Sequence, residues 1–252
     1  MKSTRQIDLA RLLDRPELTG CLKTVDELMQ AQIPNLFQDF LKPRLRAGKK
    51  LRPALLLAIT PRIGDKALKM ATAVELVHKA SLLHDTLIDE RLDAGDVRRY
   101  LLAGDYLLAA GLRLAASQDR HLAAEMALTI QQMAEGQAQQ LSKAYVNDAA
   151  DKIYQAVITQ KTASLFAFSC RAGAKIAGFD NQRLKACERY GLNFGRAFQI
   201  IDDLIDGEFD TDRRPTALVE AKRYLRLAQK QALVENLAGL PGYYLTKIVP
   251  DI

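Results

Sequence analysis

Between Pro61 and Pro215 the chain contains no proline, and across that span apolar residues return at three- and four-residue spacing, as in Leu76, Leu83 and Leu87 and again in Ile153, Val157, Leu165 and Phe168. Proline removes a backbone donor and clashes with the preceding turn, so its absence lets helices run on. The spacing then gives each helix one apolar stripe. Strand-like alternation is absent from this long middle section. Short polar punctuation divides it at Gly64-Asp65, Asp93 to Asp96, Ser117 to Asp119, Asn147-Asp148 and Gly178 to Asp180. The expectation is an all-α bundle of roughly ten helices, folded as a single domain over residues 1–252.

Composition narrows the function classes. With 48% hydrophobic and 26% charged residues, the chain has enough apolar surface to build a core and is not disordered. Cys21, Cys170 and Cys187 form no CxxC pair, so they read as small buried hydrophobes in a reducing compartment, with no disulfide. Apolar runs such as Ala54 to Ile59 are too short to cross a bilayer, and no signal-peptide pattern opens the chain, so the expected location is cytoplasmic. The net charge of +6 suggests an anionic partner. Its basic residues are mixed with acids and lack aromatic interleaving, which favours a phosphorylated small molecule over nucleic acid.

Phe198 to Asp206 places three acids in an apolar run. On a helix Asp202 and Asp206 project from one face with Asp203 beside them. Neighbouring carboxylates repel, and oxygen-only ligands suit a hard divalent cation such as Mg2+ that shares them with substrate phosphates and water. Alone, such a stretch reads equally as a solvated acidic face. A second pair, Asp85 and Asp89, shares a helical face with His78 along a nearby stripe. Glu75 and His78 also match half of a di-iron site. Its second half is missing, because His84 and His121 are preceded at that spacing by Ser81 and Gln118.

Cations complete the pattern. Ala47 to Pro53 contains Lys49, Lys50 and Arg52 just before an expected helix Pro53 to Ile59, with Pro53 as its first residue. Cations at a helix start oppose its dipole unless an anion joins them, which points to a diphosphate. Arg98 and Arg99 suit bidentate phosphate recognition. Asp105 reads as a buried acid without an assigned partner. The amides of Glu135 to Gln140 read as cavity lining or surface, and Lys161-Thr162 puts a cation and a hydroxyl on an apolar helix.

This order of a GK-x-x-R-P loop, an Asp-rich helix, Arg-Arg, Lys-Thr and Phe-Gln-x-x-Asp-Asp-x-x-Asp resembles the trans-isoprenyl diphosphate synthases, or polyprenyl synthetases, from about Gly48 to Asp206. The resemblance implies the isoprenoid synthase fold, a helical bundle around a deep central cavity, usually as a homodimer. It implies Mg2+-dependent head-to-tail condensation of isopentenyl diphosphate with an allylic diphosphate. Asp85, Asp89, Asp202, Asp203 and Asp206 match the residues that hold three Mg2+ ions. Lys49, Arg52, His78 and Arg99 match the isopentenyl diphosphate site, and Arg98 and Lys161 match allylic diphosphate contacts. Thr162 and Gln199 match the polar groups beside the developing cation.

The chain departs from that pattern in three places. Thr86 stands where a second acid is expected. A Gly-x-Pro-Thr segment is missing after Arg99, and the loop after Asp206 is short and has no matching lysine. The expectation is an interruption of the chain at Arg99-Tyr100 and within Gly207 to Pro215. Small residues at Ala80 and Ser81, one turn before Asp85, imply a medium- or long-chain product, with Leu76 or Val77 as the cavity floor. A non-catalytic subunit of a heteromeric synthase is the alternative, motivated by Thr86 and the short loops. A terpene cyclase would not need the Lys49, Arg52 and His78 site, and a plain helical interaction protein would not be stabilised by diphosphates with Mg2+.

Overall fold

The computed structural model describes residues 8–46, 48–142, 145–233 and 237–251. Ala47, at the edge of the basic loop, lies outside the described residues. The described chain is helical throughout and contains no strand. Short α1 (Leu9–Leu12) precedes α2 (Leu18–Ala31), α3 (Asn35–Arg46), α4 (Leu51–Ile59), α5 (Asp65–Asp89), α6 (Ala94–Gln118), α7 (Arg120–Gln140) and α8 (Lys152–Ile158). A π-helical turn, Thr159–Ala163, joins α8 to α9 (Ser164–Ile176). Then come α10 (Asn181–Asp206), α11 (Arg214–Gln231) and short α12 (Gly239–Tyr243). Ten of these α-helices have seven or more residues, in line with the expected bundle.

Aspartates set several helix starts. The side chain of Asp93 accepts from the backbone N–H groups of Gly95 and Asp96, Asp119 from those of His121 and Leu122, and Asp151 from those of Ile153 and Tyr154. Asp180 does the same for Arg183 N–H. Each cap satisfies otherwise orphaned donors and contributes about 1 kcal/mol. The break expected over Ser117 to Asp119 narrows to Asp119 alone, because that one residue ends α6 and caps α7.

The core forms where α4, α5, α9 and α10 meet. Leu55, Leu56 and Leu57 of α4 are wholly enclosed, as are Met70, Val74 and Leu76 of α5. Burial of each such side chain stabilises the fold by about 1.5–3 kcal/mol. The aromatic rings of Phe166 and Phe194 meet edge to face at 5.5 Å and tie α9 to α10. Helix α4 begins at Leu51 rather than at Pro53. Pro53 is tolerated as its third residue because first-turn N–H groups have no intrahelical partner to lose.

The two places where an interruption is expected lie in a helix and in a tight turn. Helix α6 runs unbroken through Arg99 and Tyr100. After α10 the backbone turns through Gly207 at φ 79° and continues with Glu208 N–H bonded to Asp203 O and Arg213 N–H bonded to Asp210 O. Among the described residues no helix is long and apolar enough to cross a membrane. Cys21, Cys170 and Cys187 are all unpaired.

Candidate active site

A cavity of about 710 Å³ opens between the start of α4, one face of α5, α7, the π turn and α10. Its polar wall includes Lys49 and Arg52 from α4 and the loop before it, and His78, Ser81 and Asp85 from α5. Gln137 from α7, Lys161 and Thr162 from the π turn, and Gln199 and Asp202 from α10 complete it. The rest is apolar, with Val77, Leu82, Ile88, Leu108, Ile130 and Met133 among its residues.

The basic loop is shaped for close approach. Gly48 and Lys50 both have positive φ, 113° and 51°, and Lys50 directly precedes α4. A non-glycine residue there is held by its surroundings, and Lys50 pairs with Asp26 of α2. No acid lies in the first turn of α4, so its dipole and its cations together favour an anion. Arg52 Nη1 donates to His78 Nε2 at 3.0 Å, and the guanidinium sits 4.2 Å from the Phe166 ring centroid. Arginine has no acceptor, so His78 accepts at Nε2 and carries its proton on Nδ1. Burial, then Arg52 and Lys79, holds the His78 pKa well below the ordinary value, so the ring is neutral. Burial lowers Arg52 to about 10, which leaves it charged at neutral pH. Its Nε has no partner.

Two lysines face two aspartates across the cavity. Lys49 Nζ lies 3.8 Å from Asp202 Oδ1, and Lys161 Nζ lies 3.7 Å from Asp85 Oδ1 and 3.1 Å from Gln140 Oε1. Burial raises the pKa of both aspartates, with Asp89 adding to Asp85 and Asp206 to Asp202, while the lysines pull the other way. These long pairings leave the carboxylates open to a further cation. Asp89 and Asp206 sit one turn beyond on exposed helix ends. Among the described residues no three His, Cys, Asp or Glu side chains gather closely enough to hold a metal by themselves.

Asp203, expected to act with Asp202 and Asp206, does not line the cavity. Its Oδ2 accepts from Tyr154 Oη at 2.6 Å and its Oδ1 from Gln199 Nε2 at 2.8 Å. Neighbouring residues on a helix point about 100° apart, so Asp203 faces α8 while Asp202 lines the cavity. Burial pushes Asp203 to about 6, partly offset by these two bonds. Gln199 Oε1 in turn accepts from Thr162 Oγ1 at 2.7 Å.

Other residues depart from expectation as well. Arg98 and Arg99 stand exposed on the first turns of α6, outside the cavity lining, and Arg99 faces Asp96 at 3.5 Å. They lie there because α6 starts directly after α5 and carries them on its outer side. Asp105 is not buried but 61% exposed, 3.3 Å from His84 Nε2. Ser81 lines the cavity whereas Ala80 and Leu76 are sealed in the core. Thr86 turns its hydroxyl back to Leu82 O on its own helix.

Residues that sequence reasoning passed over are Tyr154, Gln137 as a specific lining group, and Gly136. A Cβ at Gly136 would stand 2.6 Å from the backbone nitrogen of Lys161, so glycine lets α7 lie against the π turn. Isolated glycines within helices signal such close approaches. Gly136→Ala is expected to cost about 1–3 kcal/mol through overpacking. That corresponds to a melting temperature lower by about 2–4 °C per kcal/mol, and a thermal melt unchanged from the parent would refute the contact.

Comparison with known proteins bears on these residues. The sequence profile described as polyprenyl synthetase matches residues 34–214. The chain is 29% identical over 222 residues to an octaprenyl diphosphate synthase of Haemophilus influenzae, covering 81% of this chain and 66% of that protein. It is 31% identical over 208 residues to heptaprenyl diphosphate synthase component 2 of Geobacillus stearothermophilus, covering 75% of this chain and 63% of that protein. Among solved structures, a polyprenyl synthase of Caulobacter crescentus complexed with calcium and isoprenyl diphosphate superposes with a TM-score of 0.77 at 26% identity, covering 95% of this chain and 98% of that one. The chain spans 38–66% of the length of the curated relatives it matches first.

Proposed function

The chain belongs to the polyprenyl synthetase family, and from that premise we propose that it is a polyprenyl diphosphate synthase that condenses isopentenyl diphosphate head-to-tail with an allylic diphosphate. The observation that carries this reading is one cavity whose wall combines Lys49, Arg52, Lys161, Asp85 and Asp202 with an apolar lining from α5, α6 and α7. A diphosphate with a hydrocarbon tail needs both.

The donor set fits a hard divalent cation. Asp85 and Asp202 are oxygen donors with raised proton affinity and only distant lysine partners. Among the described residues no protein-only cage forms, so the remaining ligands would come from diphosphate oxygens and water, as suits Mg2+. We assign Asp85, Asp89, Asp202 and Asp206 to three Mg2+ ions and leave Asp203 out, since its carboxylate is turned to Tyr154 and Gln199 and does not line the cavity. When bound, the ions neutralise the diphosphate leaving group.

Lys161 adds fixed positive charge beside that leaving group, and Lys49, Arg52 and neutral His78 hold the second diphosphate. The allylic carbon–oxygen bond breaks with its electron pair going to diphosphate. The isopentenyl double bond then attacks the allylic carbon, and the proton that restores the double bond passes to the released diphosphate. Thr162 and Gln199 stand beside the reacting carbon, and the enclosing helices keep water from it. We place the enzyme in the cytoplasm, and exposed Leu101 and Leu102 on α6 support a homodimer. Purified protein incubated with Mg2+, labelled isopentenyl diphosphate and an allylic starter is expected to form elongated product. No elongation by the isolated chain would favour a non-catalytic subunit, the reading supported by the likeness to a synthase component.

The proposed product is medium or long, because Ser81 is the small residue facing the cavity beside Val77. Ser81→Phe is expected to shift the major product shorter by at least one five-carbon unit, read by chromatography. Ala80→Phe instead overpacks the core, at a cost of about 1–3 kcal/mol, and lowers stability before it changes length. Unchanged product length in Ser81→Phe would remove this wall from the argument.

A further inference from the structure

We propose that Tyr154 and Asp203 are positioning residues that set the direction of a hydrogen-bond relay ending at Thr162, so that Thr162 Oγ1 offers lone pairs, not a proton, to the reacting carbon. The inference rests on the synthase reading for its catalytic meaning and on geometry for its direction.

The relay can run only one way. Asp203 as a carboxylate accepts and does not donate. Gln199 must therefore turn its NH2 group toward Oδ1, while Tyr154 Oη–H holds Oδ2 and fixes the orientation of the carboxylate that Gln199 meets. That leaves the Gln199 carbonyl, Oε1, facing Thr162, whose hydroxyl donates to it. Every proton in the chain therefore points toward Asp203. The only hydroxyl proton of Thr162 is used, and its lone pairs are left over.

Thr162 is unusual among the hydroxyls of its own helix. Thr159 donates back to Gln155 O and Ser164 to Gln160 O, each within its own turn. Thr159 also accepts from Arg196 Nε of α10 at 2.8 Å, but of the three only Thr162 donates its proton to another helix, from the π turn that distorts the ladder at this place. π bulges recur at functional sites for this reason. Tyr154 is wholly buried, and its ring is held edge-on to Phe209 at 5.6 Å and tilted to Tyr145 at 6.4 Å. Those contacts aim the hydroxyl at Asp203 without using it.

Direction matters because a carbocation is stabilised by oxygen lone pairs and repelled by the positive end of an O–H or N–H group. With Gln199 reversed, its NH2 would face Thr162 and turn the threonine proton into the cavity. Tyr154 and Asp203 touch no substrate in this scheme. They act through Gln199.

The test uses the full chain. In uniformly 15N-labelled protein one Gln199 side-chain amide proton, assigned by its loss in Gln199→Glu, is expected downfield of those of other glutamines and to move back in Asp203→Asn. Tyr154→Phe keeps the ring packing and is expected to lower kcat about tenfold, with KM for both diphosphates and the Mg2+ half-saturation changed less than about twofold. Asp203→Asn, whose amide can donate and reverse Gln199, is expected to lower kcat about 100-fold with the same constancy of KM. Unchanged kcat in Tyr154→Phe overturns the proposal. So does an Asp203→Asn enzyme whose kcat recovers at high Mg2+, which would make Asp203 a metal ligand. A parent protein that elongates nothing but shows the shifted Gln199 proton, lost in Asp203→Asn, removes the synthase reading and leaves the relay standing.

Discussion

Asp202→Asn is expected to lower the rate of elongation by at least about a thousandfold, the largest effect of any single substitution in the cavity. Asparagine keeps the shape of the side chain and deletes the charge. Asp202 is the acid of the second Asp-rich stretch that lines the cavity, and it has only Lys49, at 3.8 Å, as a fixed partner. A pair that long and partly exposed contributes little to stability, about 0–1 kcal/mol. The melting temperature should therefore stay within about 4 °C of the parent. Steady-state kinetics with saturating Mg2+ and both diphosphates separates the outcomes. Turnover within tenfold of the parent would place the leaving-group chemistry elsewhere.

Arg52→Ala is expected to raise KM for isopentenyl diphosphate about 100-fold and to lower kcat less, because the guanidinium binds a diphosphate that does not itself leave. The Arg52→Lys variant gives a sharper test through pH. Burial already takes Arg52 to about 10. A comparable shift would bring a lysine from about 10.4 to about 8. The charge is present below that pH and is lost as pH rises through it, so the variant should bind isopentenyl diphosphate progressively worse above pH ~8 while the parent does not. It should also lose the hydrogen bond to His78 Nε2 and the stacking on Phe166, which a lysine cannot reproduce together. A flat profile across that range would show that the enclosure of Arg52 opens when the ligand binds.

Several site residues could be read directly from the chain because the chemistry demands residue types that are conspicuous in an apolar helix. Lys49, Arg52, His78, Asp85, Lys161, Thr162, Gln199 and Asp202 all reach one cavity. Their order along the chain, with the family resemblance it carries, was sufficient, since all but Lys49 sit on helical turns whose apolar stripe must face the core and so determines where the polar residues beside it point. Asp203 and Ala80 show where that logic stops. Each is next in sequence to a cavity residue, Asp202 and Ser81, and each points about 100° away from it. The spacing of the motif cannot tell the neighbours apart, because the phase of the stripe is decided by what packs against it.

Tyr154, Gly136 and Asp105 were illegible for a different reason. The partner of Tyr154 lies 49 positions away on α10, and the backbone that Gly136 must clear belongs to Lys161. Nothing local marks either one. Asp105 looked enclosed because apolar and small residues surround it in the chain, yet it sits on the exposed side of α6 facing His84.

By itself the sequence determined the helical class, the breaks between helices and the set of charged groups that call for diphosphates and a divalent cation. These follow from backbone geometry and from charges that must be balanced, and both act over a few residues. Only the tertiary structure decided which aspartate of an adjacent pair enters the cavity, which small residue lines it, and which way the hydrogen bonds from Thr162 to Asp203 run. Those depend on the rotation of one helix against another, a quantity set by packing across the whole core.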